Sequence, residues 1–213
     1  VIKVSDRLND LEAQKEKLQN YEELIGNYHK KSLEIKESFI KYAQKTGEYL
    51  EEIKPVIKEK QEFFRKLAKR FYPNNASGIT VYNNEGENQQ RYTIEAKIES
   101  DNSDGINNVK IFCYDMTMLF KGYGHNIKFS FHDSRLFDGI DEKHKAEIFK
   151  VVSELFSNAD YQYIATVNQN QLNEIKSILT EQEYKEIKEK NTILTLTDED
   201  DSEKLLGIKV DVG

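Results

Sequence analysis

From Val4 to Leu67 an apolar residue recurs at a seven-residue step: Val4, Leu11, Leu18, Ile25, Phe39, Ile53 and Leu67, with Ser32, Thr46 and Lys60 as exceptions. A second series, Tyr28, Ile35, Tyr42, Tyr49, Val56 and Phe63, runs beside it. Two such series, three and four residues apart, are the pattern of a coiled-coil seam. The positions between them are crowded with Glu and Lys, as on a solvated helix surface. A helix over this span is roughly 90 to 100 Å long at 1.5 Å per residue. One helix cannot bury its own stripe, so the rod needs a second strand, either an earlier segment folded back or another chain. Pro55 lacks a backbone donor and predicts a kink or break there, with Gly26 and Gly47 as weaker joints.

The rest of the chain changes period. Phe71-Tyr-Pro-Asn-Asn-Ala-Ser-Gly78 is a cluster of turn formers that ends the rod, giving a stalk over 1–72 and a lobe over 73–213. Ile79–Tyr82 and Arg91–Ile98 alternate as a β-hairpin around the polar run 83–88. The loop 100–105 leads to a helix over 106–120, apolar on most faces and therefore buried, closed by Gly122 and Gly124. A strand over 127–132, a helix from Asp141 to about Asn158 and a strand over 161–167 follow. A helix over 171–190, broken near Leu179-Thr180, comes next, then strands over 192–197 and 205–212 separated by an acidic turn. That alternation predicts an α/β lobe.

The 213 residues carry a net charge of -7, which argues against a nucleic-acid-binding tail. Cys113 is the single cysteine, so no intramolecular disulfide or cysteine-built metal site is possible, and a cytoplasmic location is expected. No run of about eighteen apolar residues suggests a membrane span. The chain opens in mid-helix without Met, as a piece of a longer protein would.

The richest segment for chemistry is Ile127-Lys-Phe-Ser-Phe-His-Asp-Ser-Arg-Leu-Phe-Asp-Gly-Ile-Asp141. A strand that ends in Asp133 holds a carboxylate at the rim of an α/β sheet, where it can bind the water shell of Mg²⁺; a turn or helix cap uses the same residue type. Ser134 follows it. Asp138 and Asp141 stand just before a helix, as caps do. Ser103-Asp-Gly105 precedes the buried helix, whose positive end can meet a phosphate or simply be capped. His132 reads as packing or surface. Asn168 follows the strand over 161–167, in reach of a nucleotide or as a helix cap. No Gly-x-x-x-x-Gly-Lys-Ser/Thr occurs, so this chain cannot cradle nucleotide phosphates by itself.

A coiled coil entering a lobe of hairpin, small-residue loop, buried helix, acid-ended strand, helix and polar-ended strand resembles the C-terminal half of SMC- and RecF-type ATPase heads, the ABC-type class. More narrowly, the chain resembles the C-terminal domain of a bacterial family of uncharacterised coiled-coil ATPases. The residues that carry the closer resemblance are Gly105-Ile-Asn-Asn-Val-Lys-Ile-Phe-Cys-Tyr-Asp115, His132-Asp-Ser-Arg-Leu-Phe-Asp-Gly-Ile-Asp141, Leu194-Thr-Leu-Thr-Asp198 and Lys204-Leu-Leu-Gly207.

The resemblance implies ATP and Mg²⁺ as cofactors of the complete protein. Ser103 and Gly105 would be the signature loop and Asp133 the Walker B acid and metal ligand. Ser134 would stand where a catalytic Glu is usual, Asp141 in the dimer-contacting loop, and Asn168 where a histidine is usual. A second register makes His132 the Walker B position and Asp133 the catalytic acid. The implied partners are the N-terminal half of the same head and a second head in a homodimer; DNA follows by analogy with the wider class, in repair, maintenance or phage defence. Two other readings stand beside this one: a non-enzymatic coiled-coil scaffold with a degenerate nucleotide site, and a nuclease using Asp133 and neighbouring acids.

Overall fold

The computed structural model describes residues 2–84, 90–197, 199–204 and 207. The chain is mixed α/β and divides into two compact units, 1–58 with 80–95, and 59–79 with 96–213. No described helix is long and apolar enough to cross a membrane.

In the first unit, α1 (Ile2–Glu52) is the heptad helix. It stops at Ile53, two residues before Pro55, and α2 (Lys54–Phe71) begins directly after. The interruption is confined to a single residue because Ile53 and Ile57 still donate to Tyr49 and Ile53 carbonyls. Pro55 has no N–H to donate to the carbonyl four residues earlier, so the helical ladder loses a bond here, and the break falls where the sequence predicts it. Gly26 and Gly47 stay inside α1. The seam residues of its first half, such as Val4 and Ile25, are exposed.

Strands β1 (Ser77–Asn83) and β2 (Tyr92–Ile98) pair with each other. Their residues in the first unit lie on the second half of α1. Asn83 Nδ2 donates to the Ala43 carbonyl at 2.7 Å, and the Arg91 guanidinium sits 5.0 Å and 4.8 Å from the Phe39 and Tyr42 ring centres. Phe39, Ala43, Thr46, Gly47 and Leu50 are accordingly half-buried. The heptad lapse at Thr46 thus falls under the hairpin, and the Thr46 hydroxyl bonds back to Tyr42 O.

The second unit is built on α3 (Asp104–Lys121), whose Val109, Phe112, Cys113 and Met116 are fully buried. Phe64, Leu67, Ala68 and Phe71 of α2 are buried too, and Phe71 meets Phe112 edge-on with ring centres 6.0 Å apart. Leu67 therefore continues the heptad count as a core residue of this unit. β3 (Phe129–His132) and β4 (Gln162–Ala165) are parallel, with Phe129 opposite Gln162 and His132 opposite Ala165. Parallel neighbours need a crossover, here supplied by a 3-10 turn (Ser134–Phe137) and α4 (Glu142–Phe156). Arg70 bonds both Glu147, at 2.6 Å, and Glu154, tying α2 to α4.

α5 (Gln169–Ile175) and α6 (Glu181–Lys185) are separate helices. The break falls at Thr180 as expected, because Thr180 and Glu183 exchange capping bonds: Glu183 N donates to Thr180 Oγ1 at 3.2 Å and Thr180 N to Glu183 Oε2 at 2.8 Å. Residues 192–197 differ from expectation, since no strand forms there among the described residues and Ile193, Leu194 and Leu196 are exposed. Alternation alone does not make a strand without a neighbour to share its hydrogen bonds. The expected strand over 205–212, apart from Gly207, and most of the hairpin loop lie outside the described residues.

Candidate functional site

The parallel pair ends at a polar rim. Thr166 N donates to His132 O at 3.0 Å, carrying the ladder one step past the strands, so the residues that leave it, Asp133 and Thr166, come out side by side. Asp133 is the cap of the 3-10 turn: its Oδ1 accepts from Arg135 N at 3.1 Å. Its Oδ2 faces the Thr166 hydroxyl at 3.4 Å, and that hydroxyl accepts from Ser134 N at 3.0 Å. Asp133 and Thr166 are both exposed. The carboxyl ends of parallel strands are where ligands of open α/β sheets bind; the cap reading of Asp133 is met on Oδ1, while Oδ2 accepts from the Thr166 hydroxyl.

Gln171, which sequence reasoning missed, braces the rim from below. It is buried; its Nε2 donates to Ser134 O at 3.2 Å and Asp138 Oδ1 at 3.1 Å, and its Oε1 accepts from Asn168 N at 3.0 Å. Asn168 stands at the cap position of α5. The Asn-x-x-Gln spacing was the available signal, since a Gln three residues after a cap reaches back to the cap backbone.

The loop before α3 joins the far side. Gly105 is buried against the 138–140 loop, and a Cβ there would meet Gly139 O at 2.3 Å. Gly139 itself has φ of +69°, a left-handed conformation that suits glycine. Asn108 Nδ2 donates to Asp138 O at 2.9 Å and to Arg135 O at 3.3 Å, fixing the same loop on α3. Ser103 is the exposed cap residue of α3, and its hydroxyl makes no cap hydrogen bond. Asp141 caps α4 through His144 N at 3.0 Å. Burial works to raise the Asp141 carboxyl, but the His144 backbone and ring and the Lys143 backbone outweigh it and hold the group below the usual carboxylate value.

Behind Asp133, His132 is buried between two partners. Its Nε2 lies 3.0 Å from Asp115 Oδ2 and its Nδ1 2.9 Å from Tyr163 Oη. Burial, with the Asp115 charge beside it, pushes the Tyr163 phenol well up, so it remains a donor. The ring tautomer that fits carries its proton on Nε2, towards Asp115. His132 is therefore a bracket linking α3, β3 and β4. Cys113 is a core residue whose thiol burial pushes far up, out of reach of thiolate chemistry at neutral pH.

Among the described residues no group of three His, Cys, Asp or Glu can hold a metal ion. Magnesium in nucleotide sites keeps much of its water shell and takes one or two carboxylates plus phosphate oxygens. Asp133 fits as the one carboxylate of such a shell.

Residues 67–210 match the family described as "Uncharacterised protein conserved in bacteria (DUF2326)". The chain belongs to that family. All of the rim residues fall within the DUF2326 match. No curated protein matches the chain. Two of the solved structures to which this DUF2326 chain is similar are the following. One, from work on the "structural biochemistry of ATP-driven dimerization and DNA stimulated activation of SMC ATPases", is 12% identical over 61% of this chain and 77% of its own, with a TM-score of 0.39. The other, described as "SmcHead bound to the C-winged helix domain of ScpA", is 14% identical over 59% of this chain and 38% of its own, also with a TM-score of 0.39.

Proposed function

We propose that this chain is the C-terminal half of an SMC/RecF-like coiled-coil ATPase head, and that its Asp133 rim works only once a second segment brings a phosphate loop to it. One observation carries the reading. β3 and β4 form a parallel pair with a carboxylate at its carboxyl end, yet they pair only with each other among the described residues, and Phe129 and Phe131 on one face are exposed at 55% and 52%. Parallel sheets are ordinarily covered on both faces, so this sheet has the form of one awaiting further strands or helices. The N-terminal half of the same head is the cover this reading names.

In the completed head Asp133 would hold a magnesium ion through its water, and Ser103 and Gly105, at the start of α3, would present backbone donors to a nucleotide held by a second head. Magnesium there would neutralise charge on the β- and γ-phosphates. Asp141 would sit at the contact between heads and Asn168 at the end of β4. ATP would then join two heads reversibly, and its loss would part them and move whatever the stalks hold. DNA as the object handled follows from the class resemblance alone.

Ser134 favours a second reading: its backbone is tied to Thr166 and Gln171, and it offers a hydroxyl where a catalytic carboxylate is usual. A head that binds nucleotide without fast turnover, or a scaffold that has lost the nucleotide, fits that residue. The test is magnesium-dependent ATP binding by the complete protein, read by equilibrium dialysis. Binding that requires a phosphate-loop segment upstream of this chain supports the proposal, and no binding leaves the scaffold.

A further inference from the structure

We infer that Thr166 is a positioning residue for the magnesium-binding carboxylate, aiming Asp133 Oδ2 at the metal's water shell; the inference rests on the nucleotide reading of the same rim. Hydrogen-bond capacity decides where the Thr166 proton goes. A threonine hydroxyl has one proton and two lone pairs. Ser134 N already donates to Thr166 Oγ1 at 3.0 Å, so one lone pair is engaged, and the acceptor in reach of its proton is Asp133 Oδ2 at 3.4 Å. Oδ1 is held by Arg135 N. The carboxylate is thus oriented from both sides, firmly on Oδ1 and loosely on Oδ2.

The backbone of Thr166 is itself fixed to His132 O, the residue before Asp133, so the hydroxyl and the carboxylate share one rigid frame. Groups that orient a metal ligand in this way typically change metal affinity ten- to a hundredfold when lost, about the lower figure being expected for a bond as long as this one. Asn168, two residues further on, points its backbone into Gln171 and not at Asp133, which leaves Thr166 as the β4-end group that touches the carboxylate.

The experiment titrates Mg²⁺ against a fluorescent ATP analogue at fixed concentration in the complete protein, for wild type, Thr166→Val, Thr166→Ala and Thr166→Ser, with melting temperature measured in parallel. Loss of the hydroxyl in Thr166→Val and Thr166→Ala is expected to raise the Mg²⁺ needed for half-saturation about tenfold, with Thr166→Ser close to wild type and the melting curves showing every variant folded at the temperature of the titration. Wild-type Mg²⁺ dependence in both hydroxyl-free variants, with nucleotide still bound, overturns the role of Thr166 and leaves the nucleotide reading standing. An absence of Mg²⁺-dependent binding in the wild type overturns both.

Discussion

Gly105 packs its bare α-carbon against the carbonyl of Gly139: a Cβ on Gly105 would come within 2.3 Å of that oxygen. Two backbone segments, the start of α3 and the loop between β3 and α4, meet there with no side chain between them. The resemblance to SMC-type heads implies a nucleotide contact for Gly105; what its missing side chain does in this fold is let the two segments meet.

Gly105→Ala must push the 138–140 loop away from α3. Overpacking against backbone that cannot rotate aside costs about 1–3 kcal/mol. Thermal unfolding should show a lowered midpoint, and a variant as stable as wild type would mean the two segments are not in contact.

His132 offers a second test of packing. Tyr163→Phe removes one neutral hydrogen bond and is expected to cost about 1 kcal/mol. His132→Ala leaves both Asp115 and the Tyr163 hydroxyl without a partner and opens a cavity, for about 2–4 kcal/mol. Chemical denaturation should rank the two in that order; equal costs would mean that the ring is not the link between α3 and β4.

Asp141 supplies a pH dependence whose sign follows from its lowered pKa. A carboxyl held below its ordinary value of 3.8 contributes stability that is present above that value and is lost as the pH falls through the folded-state pKa. Stability should therefore decline below about pH 4. Asp141→Asn keeps an acceptor for His144 N and should flatten that acid limb, measured as unfolding midpoint against pH. An unchanged limb would assign it to other carboxylates.

On the stalk, Gly47 lies inside α1 with Asn83 Nδ2 3.7 Å from where a Cβ would stand, an ordinary contact. Gly47→Ala should therefore gain helix stability, about 0.5–1 kcal/mol, without displacing the hairpin. Gly26→Ala, with open space around it, should gain a similar amount, and circular dichroism during heating reads both. A loss at Gly47 alone would show that the hairpin sits closer than described.

The elements that carry strong local signals were legible in the sequence. The heptads predict α1, Pro55 marks the break at Ile53, and apolar density marks α3 as buried. The acid-ended strand and the polar-ended strand are present and run parallel. What stayed hidden depends on residues distant in the chain. Nothing in 79–98 alone announces that Asn83 and Arg91 will sit on α1, because the partner is a helix forty residues earlier for the Asn83 bond. Thr166 falls inside the strand expected over 161–167, and its bearing on Asp133 appears only once β3 and β4 are in register. Residues 192–197 alternate as a strand does, but alternation fixes a face and not a neighbour.

The proposed site would join two heads through a nucleotide whose magnesium ion Asp133 holds through its water shell. Asp133→Asn keeps an oxygen to accept from Arg135 N, so the turn it caps should survive while the charge is lost. The direct measurement is the mass of the complete protein by light scattering, with and without ATP and Mg²⁺, in wild type and Asp133→Asn. Nucleotide-dependent dimers in the wild type and none in Asp133→Asn is the predicted result. Dimers that form equally in both, or a wild type that ignores nucleotide, would contradict the account.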